Sequence, residues 1–295
     1  MHSPTPDLGL LLDVDGPIAS PVTRAISVPT IITDLVALTA AGVPIAFITG
    51  RSSEFIREQV MTPLYAAGLD AALDRPGARM FGVFEKGAAW SEVGPTGMGE
   101  VQIDRSVAFD APAIDGIRDL VTERFSDTMF FDETKRAMIS VEQRTDADDT
   151  SYRAAQGEFQ DAAFELLTAQ GLGLRYGERE HPDAAGEVPY RIDPTIISTD
   201  IESVLLDKDR GARRALEEFR TGGALPRTWR TVGDSRSDYK MADQLHAEGF
   251  DVAHVDVRPA DGVLERPYEV ITMGDLIHDE AGADLLRQWR ERLGV

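Results

Sequence analysis

Between residues 7 and about 90, short apolar runs alternate with segments of helical periodicity. In the first helical segment Ile31, Leu35 and Leu38 recur at helical spacing, and Gly42 is placed to end the helix. Strands that alternate with helices indicate βαβ units and a parallel sheet. The apolar runs are GLLLDVD, VPIAFITGRS and MFGVFEKGA, and the helical segments are TIITDLVALTAAG and EFIREQVMTPLYAAG.

The same alternation returns after about residue 204, and it ends in a helical segment, GADLLRQWRERLG. Between these two regions the pattern changes. Two helix-like segments, AIDGIRDLVTERF and SYRAAQGEFQDAAFELLTAQG, accompany strand-like pieces such as RAMISVEQ, LGLRYGE and TIISTDIES. In RAMISVEQ, Ile139 and Val141 alternate with Ser140 and Glu142, which is typical of a sheet with one face against helices and the other in water.

The length of 295 residues favours two domains. We predict an α/β fold in which residues 1–103 and 204–295 form a core domain and residues 104–203 form an inserted α+β domain. The turn-rich segments GPTGMG (94–99) and HPDAAGEVP (181–189) are predicted to be loops. The acidic run DADDT is predicted to be the solvated start of a helix.

Composition excludes several classes of function. The 51 acidic and 30 basic residues give a net charge of −21, which repels nucleic acid and anionic membrane surfaces. The absence of cysteine excludes disulfides, thiolate catalysis and zinc held by cysteine. The segment MHSPTPDLGLLLD has no basic region followed by a long apolar one, and no stretch is long enough to span a bilayer, so we expect a cytoplasmic protein. The sequence does not indicate an oligomeric state.

Carboxylates follow the first apolar run. Asp13 and Asp15 come directly after Leu10–Leu12, and the chain then breaks at Gly16-Pro17. Ligands of open parallel sheets bind at the carboxyl ends of the strands, so this pair is expected to lie where a ligand binds. As isolated residues the two aspartates fit a turn equally well.

Three later segments supply complementary groups. Thr49-Gly50-Arg51 follows the next apolar run and offers a hydroxyl and free N–H groups, although Thr49 could equally cap the following helix. Lys208 precedes a predicted helix, and Asp234 and Asp238 follow another apolar run in TVGDSRSD. Mg²⁺ prefers carboxylate oxygens together with substrate phosphate oxygens, so these groups are the parts needed for magnesium-assisted phosphoryl transfer. The alternative for Lys208 is a solvated surface charge.

The order D-x-D-G, T-G-R, lysine and G-D-S-x-x-D resembles the haloacid dehalogenase superfamily, whose members are mostly Mg-dependent phosphatases. An insertion between the threonine and lysine motifs resembles the subgroup with a C2-type cap, which includes Cof-like and sugar-phosphate phosphatases. The motifs reach from Asp13 to Asp238. The resemblance implies a Rossmann-like parallel-sheet core with an inserted C2-type cap.

The resemblance also implies roles for the acidic residues. Asp13 attacks phosphorus and becomes an aspartyl phosphate, while Asp15 protonates the leaving oxygen and then activates water. Magnesium takes the carboxylate of Asp13, the backbone carbonyl of Asp15 and the carboxylate of Asp234, with Asp238 either a further ligand or an outer group. Thr49 and Lys208 bind phosphate.

Three positions depart from the pattern of the superfamily. Pro17 stands where threonine is common, and Asp209-Arg210 separates Lys208 from the expected glycine, which could shift the start of the helix. Lys86 stands where many relatives have asparagine. Arg258 is a further candidate at the end of a predicted strand. The candidate substrate-binding residues are Gly16, Thr49, Gly50, Arg51, Lys86, Lys135, Arg136 and Lys208.

The sequence therefore predicts a Mg²⁺-dependent phosphatase that hydrolyses a small phosphorylated metabolite, with sugar phosphates as the expected class. Two alternatives remain open. One is a receiver-like signalling protein that accepts a phosphoryl group, and the other is a catalytically silent protein that binds Mg²⁺ and a ligand, for which Pro17 is the one hint. None of the five histidines has the spacing of metal ligands, so they are expected at the surface or in the core.

Overall fold

The computed structural model of the protein describes residues 6–295 and divides into two compact units. The core unit contains the described residues up to Gln102 together with Asp207–Val295, and the inserted unit is Ile103–Leu206. Residues 1–5, which belong to the predicted segment 1–103 and to the segment searched for a targeting signal, lie outside the described residues. No helix in the described part of the chain is long and apolar enough to cross a bilayer.

The strands and helices of both units are numbered along the chain. The strands are β1 (Leu8–Leu12), β2 (Ile45–Ile48), β3 (Met80–Phe84), β4 (Ala89–Gly94), β5 (Gly97–Met98), β6 (Gln102–Ile103), β7 (Met129–Phe131), β8 (Ile139–Gln143), β9 (Leu174–Tyr176), β10 (Arg179–His181), β11 (Tyr190–Pro194), β12 (Ser198–Ser203), β13 (Thr228–Gly233), β14 (Asp251–Asp256) and β15 (Glu269–Ile271). The helices are α1 (Pro29–Ala40), α2 (Ser53–Ile56), α3 (Thr62–Ala66), α4 (Leu69–Leu73), α5 (Ala111–Arg124), α6 (Asp149–Ala169), α7 (Lys208–Thr221), α8 (Tyr239–Ala247) and α9 (His278–Leu293).

The core unit is built on a nine-stranded sheet in the order β15-β14-β13-β1-β2-β3-β4-β5, with β6 paired to β4. The strands from β15 to β3 are parallel, and β4 and β5 continue the sheet antiparallel. β1 lies in the middle, and all five of its residues are buried. A strand buried on both faces requires an apolar run without polar interruptions, which is what Leu8–Leu12 supplies.

Helices cover both faces of this sheet. Leu10 and Leu12 pack on one side with residues of α1 and α9, whereas Leu11 packs on the other side with residues of α7 and α8. The predicted mixed α/β fold with a parallel core is therefore confirmed. In such a three-layer arrangement the strand ends stay uncovered by the helices, and the carboxyl ends gather the loops that follow β1, β2, β3, β13 and β14.

Several elements differ in detail from their predictions. The helix predicted over EFIREQVMTPLYAAG is present but widens into a π-helical turn at Arg57–Met61, just before Pro63, which has no N–H to donate to the preceding turn. The predicted loop GPTGMG is wrong in part, because Gly97–Met98 pairs with β4 in a hairpin. The last helix begins at His278, before the predicted segment.

The inserted unit has its own six-stranded sheet, in the order β10-β9-β11-β12-β8-β7, and its own apolar core with α5 and α6. Ile139 and Val141 face that core as predicted. Ser140 does not face water, because it is buried and its hydroxyl donates to Asp200 Oδ1 at 2.7 Å. The predicted helix start at DADDT is confirmed, since Asp148 caps α6 by accepting from the N–H groups of Thr150 and Ser151.

Candidate active site

Acidic side chains converge at the carboxyl edge of the core sheet. Asp13 follows β1, and Asp234 and Asp238 follow β13, which is the neighbour of β1 in the sheet. One carboxylate oxygen from each of the three lies within 4.8 Å of the others. Because β1 and β13 are parallel and adjacent, residues separated by most of the chain meet at one point.

Lys208 lies inside this carboxylate cluster. Its side chain is buried, and its Nζ lies 2.6 Å from Asp13 Oδ1 and 2.7 Å from Asp238 Oδ1. The same Nζ donates to the carbonyl of Ile48, at the end of β2, at 2.9 Å. The reading of Lys208 as a solvated surface charge is therefore wrong.

The start of α7 gives Lys208 its reach. Lys208 is the first residue of this helix, and its N–H donates to the side chain of the capping residue, Asp207, at 2.8 Å. A Cβ at Gly211 would lie 2.4 Å from Ile48 Cγ2, so the glycine lets the first turn lie directly against β2. The residues between Lys208 and Gly211 thus fit inside the helix and do not move its start.

Asp238 is the member of the cluster whose two carboxylate oxygens both contact other groups of the protein. It is fully buried, and its Oδ2 accepts from the backbone N–H and the hydroxyl of Ser235 at 2.9 and 2.7 Å. Its other oxygen contacts Lys208. Both carboxylate oxygens are therefore engaged within the protein, so the contacts of Asp238 are those of a group that orients Lys208.

Charge in the cluster is incompletely balanced. Burial, together with the charge of Asp238, raises the pKa of Asp13 well above its usual value, although Lys208 opposes the shift. Burial and then Asp238 raise the pKa of Asp234 to about 6. Burial alone would lower the pKa of Lys208, but Asp13 and Asp238 raise it above its usual value, so the ammonium stays charged.

The donor set fits a divalent cation. Carboxylate oxygens are the ligands that Mg²⁺ prefers. The pKa values of Asp13 and Asp234 are raised first by burial and then by the charge of Asp238, and a bound cation would oppose both effects by favouring the ionised carboxylates. Asp13 and Asp234 are the members that could hold the ion, since Asp238 is engaged with Lys208 and Ser235.

Asp15 is held by Arg51. The Nε of Arg51 donates to both carboxylate oxygens of Asp15, at 3.3 and 3.0 Å, and its Nη2 donates to Asp15 Oδ1 at 3.0 Å. Gly16 follows with a φ of +99°, and a Cβ there would lie 2.7 Å from Asp234 Cγ. The glycine is therefore required both by its left-handed backbone and by the close approach of Asp234.

The loop after β2 places a hydroxyl at the same edge. Thr49 is buried, and its Oγ1 accepts from the N–H of Arg51 at 3.0 Å, which leaves its own O–H to donate elsewhere. Ser52, not Thr49, caps the following helix by accepting from the N–H of Phe55. The capping role considered for Thr49 is therefore wrong.

A left-handed turn after β3 supports that loop. Glu85, Lys86 and Gly87 have φ values of 50°, 54° and 98°. The N–H of Glu85 donates to the carbonyl of Arg51 at 3.2 Å, and the N–H of Lys86 donates to the carbonyl of Thr49 at 3.0 Å. The side chain of Lys86 lies over Gly50, where a Cβ would be 3.7 Å from Lys86 Cε.

His278, the first residue of α9, lies near the carboxylate cluster, a position that the sequence motifs do not predict. Its φ is 50°, and its Nδ1 lies 3.8 Å from Asp234 Oδ2. Within the same helix, Gly282 approaches the loop after β1 so closely that a Cβ would lie 1.9 Å from the carbonyl oxygen of Pro17. A lone histidine ahead of a helix carries no sequence signal for such a position.

The remaining predicted residues belong to other segments of the chain. Lys135 and Arg136 belong to the inserted unit, just before β8. Arg258 lies at the carboxyl edge after β14, where it is exposed and paired with Asp261 at 3.1 Å. Of the histidines, His254 is buried in β14, in agreement with the expected core position.

Comparison with known proteins places the fold. No protein-family model matches the chain, and no curated protein sequence matches it. Among solved structures, the C-terminal domain of C. albicans trehalose-6-phosphate phosphatase is similar over 98% of this chain and 92% of its own, with 13% identity and a TM-score of 0.62. A haloacid dehalogenase-like hydrolase from Bacteroides thetaiotaomicron is similar over 95% of this chain and 98% of its own, with 11% identity and a TM-score of 0.52.

The chain has the haloacid dehalogenase fold. An N-terminally truncated IMP-nucleotidase from Plasmodium falciparum also shares it, over 95% of this chain and 69% of its own, with 9% identity and a TM-score of 0.51. The predicted likeness to the haloacid dehalogenase superfamily is confirmed at the level of the fold, and the Cof-like subgroup stays a prediction. The carboxylate cluster brings together Asp13, Asp234 and Asp238, which belong to the first and last of the sequence motifs.

Proposed function

We propose that the chain is a Mg²⁺-dependent phosphatase that hydrolyses a small phosphorylated metabolite through an aspartyl phosphate on Asp13. The observation that carries this proposal is the position of the Asp13 carboxylate, 2.6 Å from the buried ammonium of Lys208 and within 4.8 Å of the carboxylates of Asp234 and Asp238. A carboxylate nucleophile needs a site in which cations neutralise the phosphate that it attacks.

The first step transfers the phosphoryl group to the protein. A carboxylate oxygen of Asp13 forms a bond to phosphorus as the bond from phosphorus to the leaving oxygen breaks. Asp15 gives its proton to that oxygen, which leaves as an alcohol. Lys208 remains an ammonium and, with Thr49, stabilises the negative charge on the other phosphate oxygens.

The second step regenerates Asp13. Asp15 takes a proton from a water molecule, whose oxygen attacks phosphorus as the bond to Asp13 breaks. The products are inorganic phosphate and the free carboxylate, so atoms and protons balance over the two steps.

Asp15 must leave Arg51 to carry out either step. In the structure both of its oxygens accept hydrogen bonds from Arg51, which keeps the carboxylate away from a leaving group. The guanidinium fork of arginine matches phosphate oxygens as well as it matches a carboxylate. We assign Arg51 to the phosphate of the bound substrate, an exchange that frees Asp15.

The carboxylates of Asp13 and Asp234 and the backbone carbonyl of Asp15 would hold the magnesium ion. When bound, it would neutralise phosphate oxygens and so admit an anionic nucleophile. Asp238 is assigned to the positioning of Lys208, in view of its contacts with Lys208 and Ser235.

For the substrate we propose a sugar phosphate handled in the cytoplasm. The support is the likeness of the fold to a trehalose-6-phosphate phosphatase domain, and the net charge of −21 disfavours nucleic acid. Gly16, Gly50 and Lys86 would contact the phosphate in the core unit. Lys135 and Arg136 are proposed to recognise the rest of the substrate from the inserted unit.

The test is hydrolysis of 4-nitrophenyl phosphate with Mg²⁺ by the full chain and by Asp13→Asn. Loss of the nucleophile should lower kcat by about 10³-fold or more. Asp74→Asn, an exposed position after α4, is the matched control and should keep full activity. A panel of phosphorylated metabolites then identifies the substrate.

Undiminished turnover by Asp13→Asn would reject the proposal. A wild-type chain that keeps a stable phosphoryl group after treatment with acetyl phosphate, without release of phosphate, would instead indicate the receiver-like alternative. Tight binding of a phosphorylated metabolite without turnover would indicate the silent alternative.

A further inference from the structure

His278 combines an unusual backbone with an unusual side-chain environment. Its φ of 50° is rare for a residue other than glycine, and the strain persists only where the surrounding structure enforces it. The enforcing contact is the N–H of His278, which donates to the carbonyl of Val257 just after β14, at 2.8 Å. This bond fixes the first residue of α9 at the carboxyl edge of the sheet.

The imidazole of His278 faces Asp234. The side chain is 22% exposed, yet Nδ1 itself is buried and has no hydrogen-bond partner among the described residues. It lies 3.8 Å from Asp234 Oδ2, which is too far for a direct hydrogen bond and close enough for a small shift or a shared water to make one. A buried ring nitrogen without a partner is unfavourable, so this geometry suits a state in which Nδ1 acquires one.

Asp234 is also packed closely against Gly16. Its Cγ lies 2.7 Å from the place where a Cβ of Gly16 would be, so the carboxylate is packed against the loop that carries Asp13 and Asp15. Among the described residues, His278 is the one basic side chain with a nitrogen within 4.0 Å of the Asp234 carboxylate. The imidazole and Gly16 therefore both lie close to this carboxylate.

We infer that His278 is a positioning residue that orients Asp234 for the divalent cation, by donating a hydrogen bond from Nδ1 to Oδ2 or to a water shared with it. The inference rests on the proposed function, because it takes Asp234 as a cation ligand. Partners of this kind orient ligating carboxylates, and their loss weakens metal binding by about 10- to 100-fold. The left-handed backbone is then the local strain that directs the ring towards Asp234.

Substitution by glycine separates this role from a structural one. Glycine adopts a left-handed backbone without strain, so His278→Gly should unfold at the same temperature as the wild type or higher when EDTA is present. The same variant should bind Mg²⁺ about 10- to 100-fold more weakly in calorimetric titration of the full chain. Weaker Mg²⁺ binding without a loss of thermal stability is expected if the ring serves the cation and not the fold.

Arg24→Gly is the matched control. Arg24 also has a left-handed backbone, with a φ of 56°, and it is exposed. Relief of its strain should leave the Mg²⁺ affinity unchanged. An Asp234→Asn variant should lose Mg²⁺ binding and shows that the titration reports on this site.

Three outcomes would overturn the inference. In the first, His278→Gly binds Mg²⁺ within about twofold of the wild-type affinity, while Asp234→Asn does not bind it. This result rejects the role of His278 and leaves the proposed function unaffected. A parallel loss of thermal stability and Mg²⁺ affinity indicates that His278 only supports the fold. No Mg²⁺ binding by the wild-type chain removes the proposed function, and the role of His278 with it.

Discussion

Two buried ionisable residues of the core unit, Lys208 and His254, differ in whether they carry a charge in the folded protein. Lys208 is buried in ion pairs with two carboxylates and keeps its proton, whereas His254 is buried in β14 against uncharged side chains, of which two are in direct contact. Its Nδ1 shares a hydrogen bond of 2.7 Å with Thr231 Oγ1, and its ring lies 4.2 Å from that of Tyr239. Burial lowers the pKa of His254 to about 4, so the imidazole is neutral in the folded protein near neutral pH.

His254 should make the fold less stable as the pH falls from about 6.5 to about 4. In that pH range the imidazole of His254 is protonated in the unfolded chain but not in the folded chain. Above about pH 6.5 it is unprotonated in both states. Urea unfolding at about pH 7.5 and about pH 5 should show His254→Gln losing about 2 kcal/mol less than wild type. His246→Gln, exposed on α8, is the control and should follow wild type. Equal losses in all three proteins would contradict the assignment.

The residues of the site were predictable to different degrees. Asp13, Thr49 and Asp234 could be placed from the sequence because each directly follows an apolar run, and parallel strands end at one edge. The ion pair of Asp15 with Arg51 could not be predicted, because it depends on rotamers. His278 was missed because the hydrogen bond to Val257 that fixes its backbone leaves no trace in local periodicity.

At the scale of the elements, α9 packs against the loop after β1. Gly282 makes the closest approach, since a Cβ there would lie 1.9 Å from the carbonyl oxygen of Pro17. The contact is made by the backbone of Pro17, the residue that departs from the pattern of the superfamily. The helix and the loop fit only if position 282 has no side chain.

Gly282→Ala should displace either α9 or the loop. The backbone cannot yield as a flexible side chain would, so we expect a loss of about 1–3 kcal/mol in the free energy of unfolding. Phosphatase activity should fall by about tenfold or more, because a small displacement of the Asp13 carboxylate from phosphorus is costly. Urea unfolding and turnover of 4-nitrophenyl phosphate measure the two effects.

Gly157→Ala is the control for this helix glycine. It lies within α6, and apart from its own turn of helix no atom of the described residues lies within 4 Å of the position of its Cβ. Alanine there should stabilise the protein by about 0.5–1 kcal/mol through helix propensity alone. If Gly282→Ala were as harmless as Gly157→Ala, the close packing of α9 on the loop would be refuted.

The strands and helices could be predicted from the sequence where the hydrophobic pattern alone determines the element. Apolar runs without polar interruption predicted β1 and β2, and helical spacing predicted α1 and α6. The short hairpin strand β5 was missed because Gly97–Met98 has no periodicity, and its pairing with β4 depends on a turn. Ser140 was predicted to face water because the alternation of apolar and polar residues shows only which face of the sheet a residue occupies. It does not show that a buried hydroxyl has a hydrogen-bond partner, which for Ser140 is Asp200.

At the scale of the whole molecule, the net charge of −21 is the dominant electrostatic property. Repulsion among like charges opposes compaction, and dissolved salt screens it. We expect the melting temperature of the EDTA-treated protein to rise by a few degrees between about 10 mM and about 300 mM NaCl. Differential scanning fluorimetry measures this directly, and a constant or falling melting temperature would show that local ion pairs outweigh the net repulsion.

The central place of β1 in the sheet has a consequence for biosynthesis. β1 leaves the ribosome before β13, one of its two neighbours in the sheet, which is translated only after the whole inserted unit. Until then one edge of a fully apolar strand has no strand to pair with, which is a hazard for aggregation. The inserted unit is continuous in sequence and can complete its own sheet before β13 is made. Asp13, in contrast, meets Lys208 and Asp234 only after the segments that follow the inserted unit have been translated.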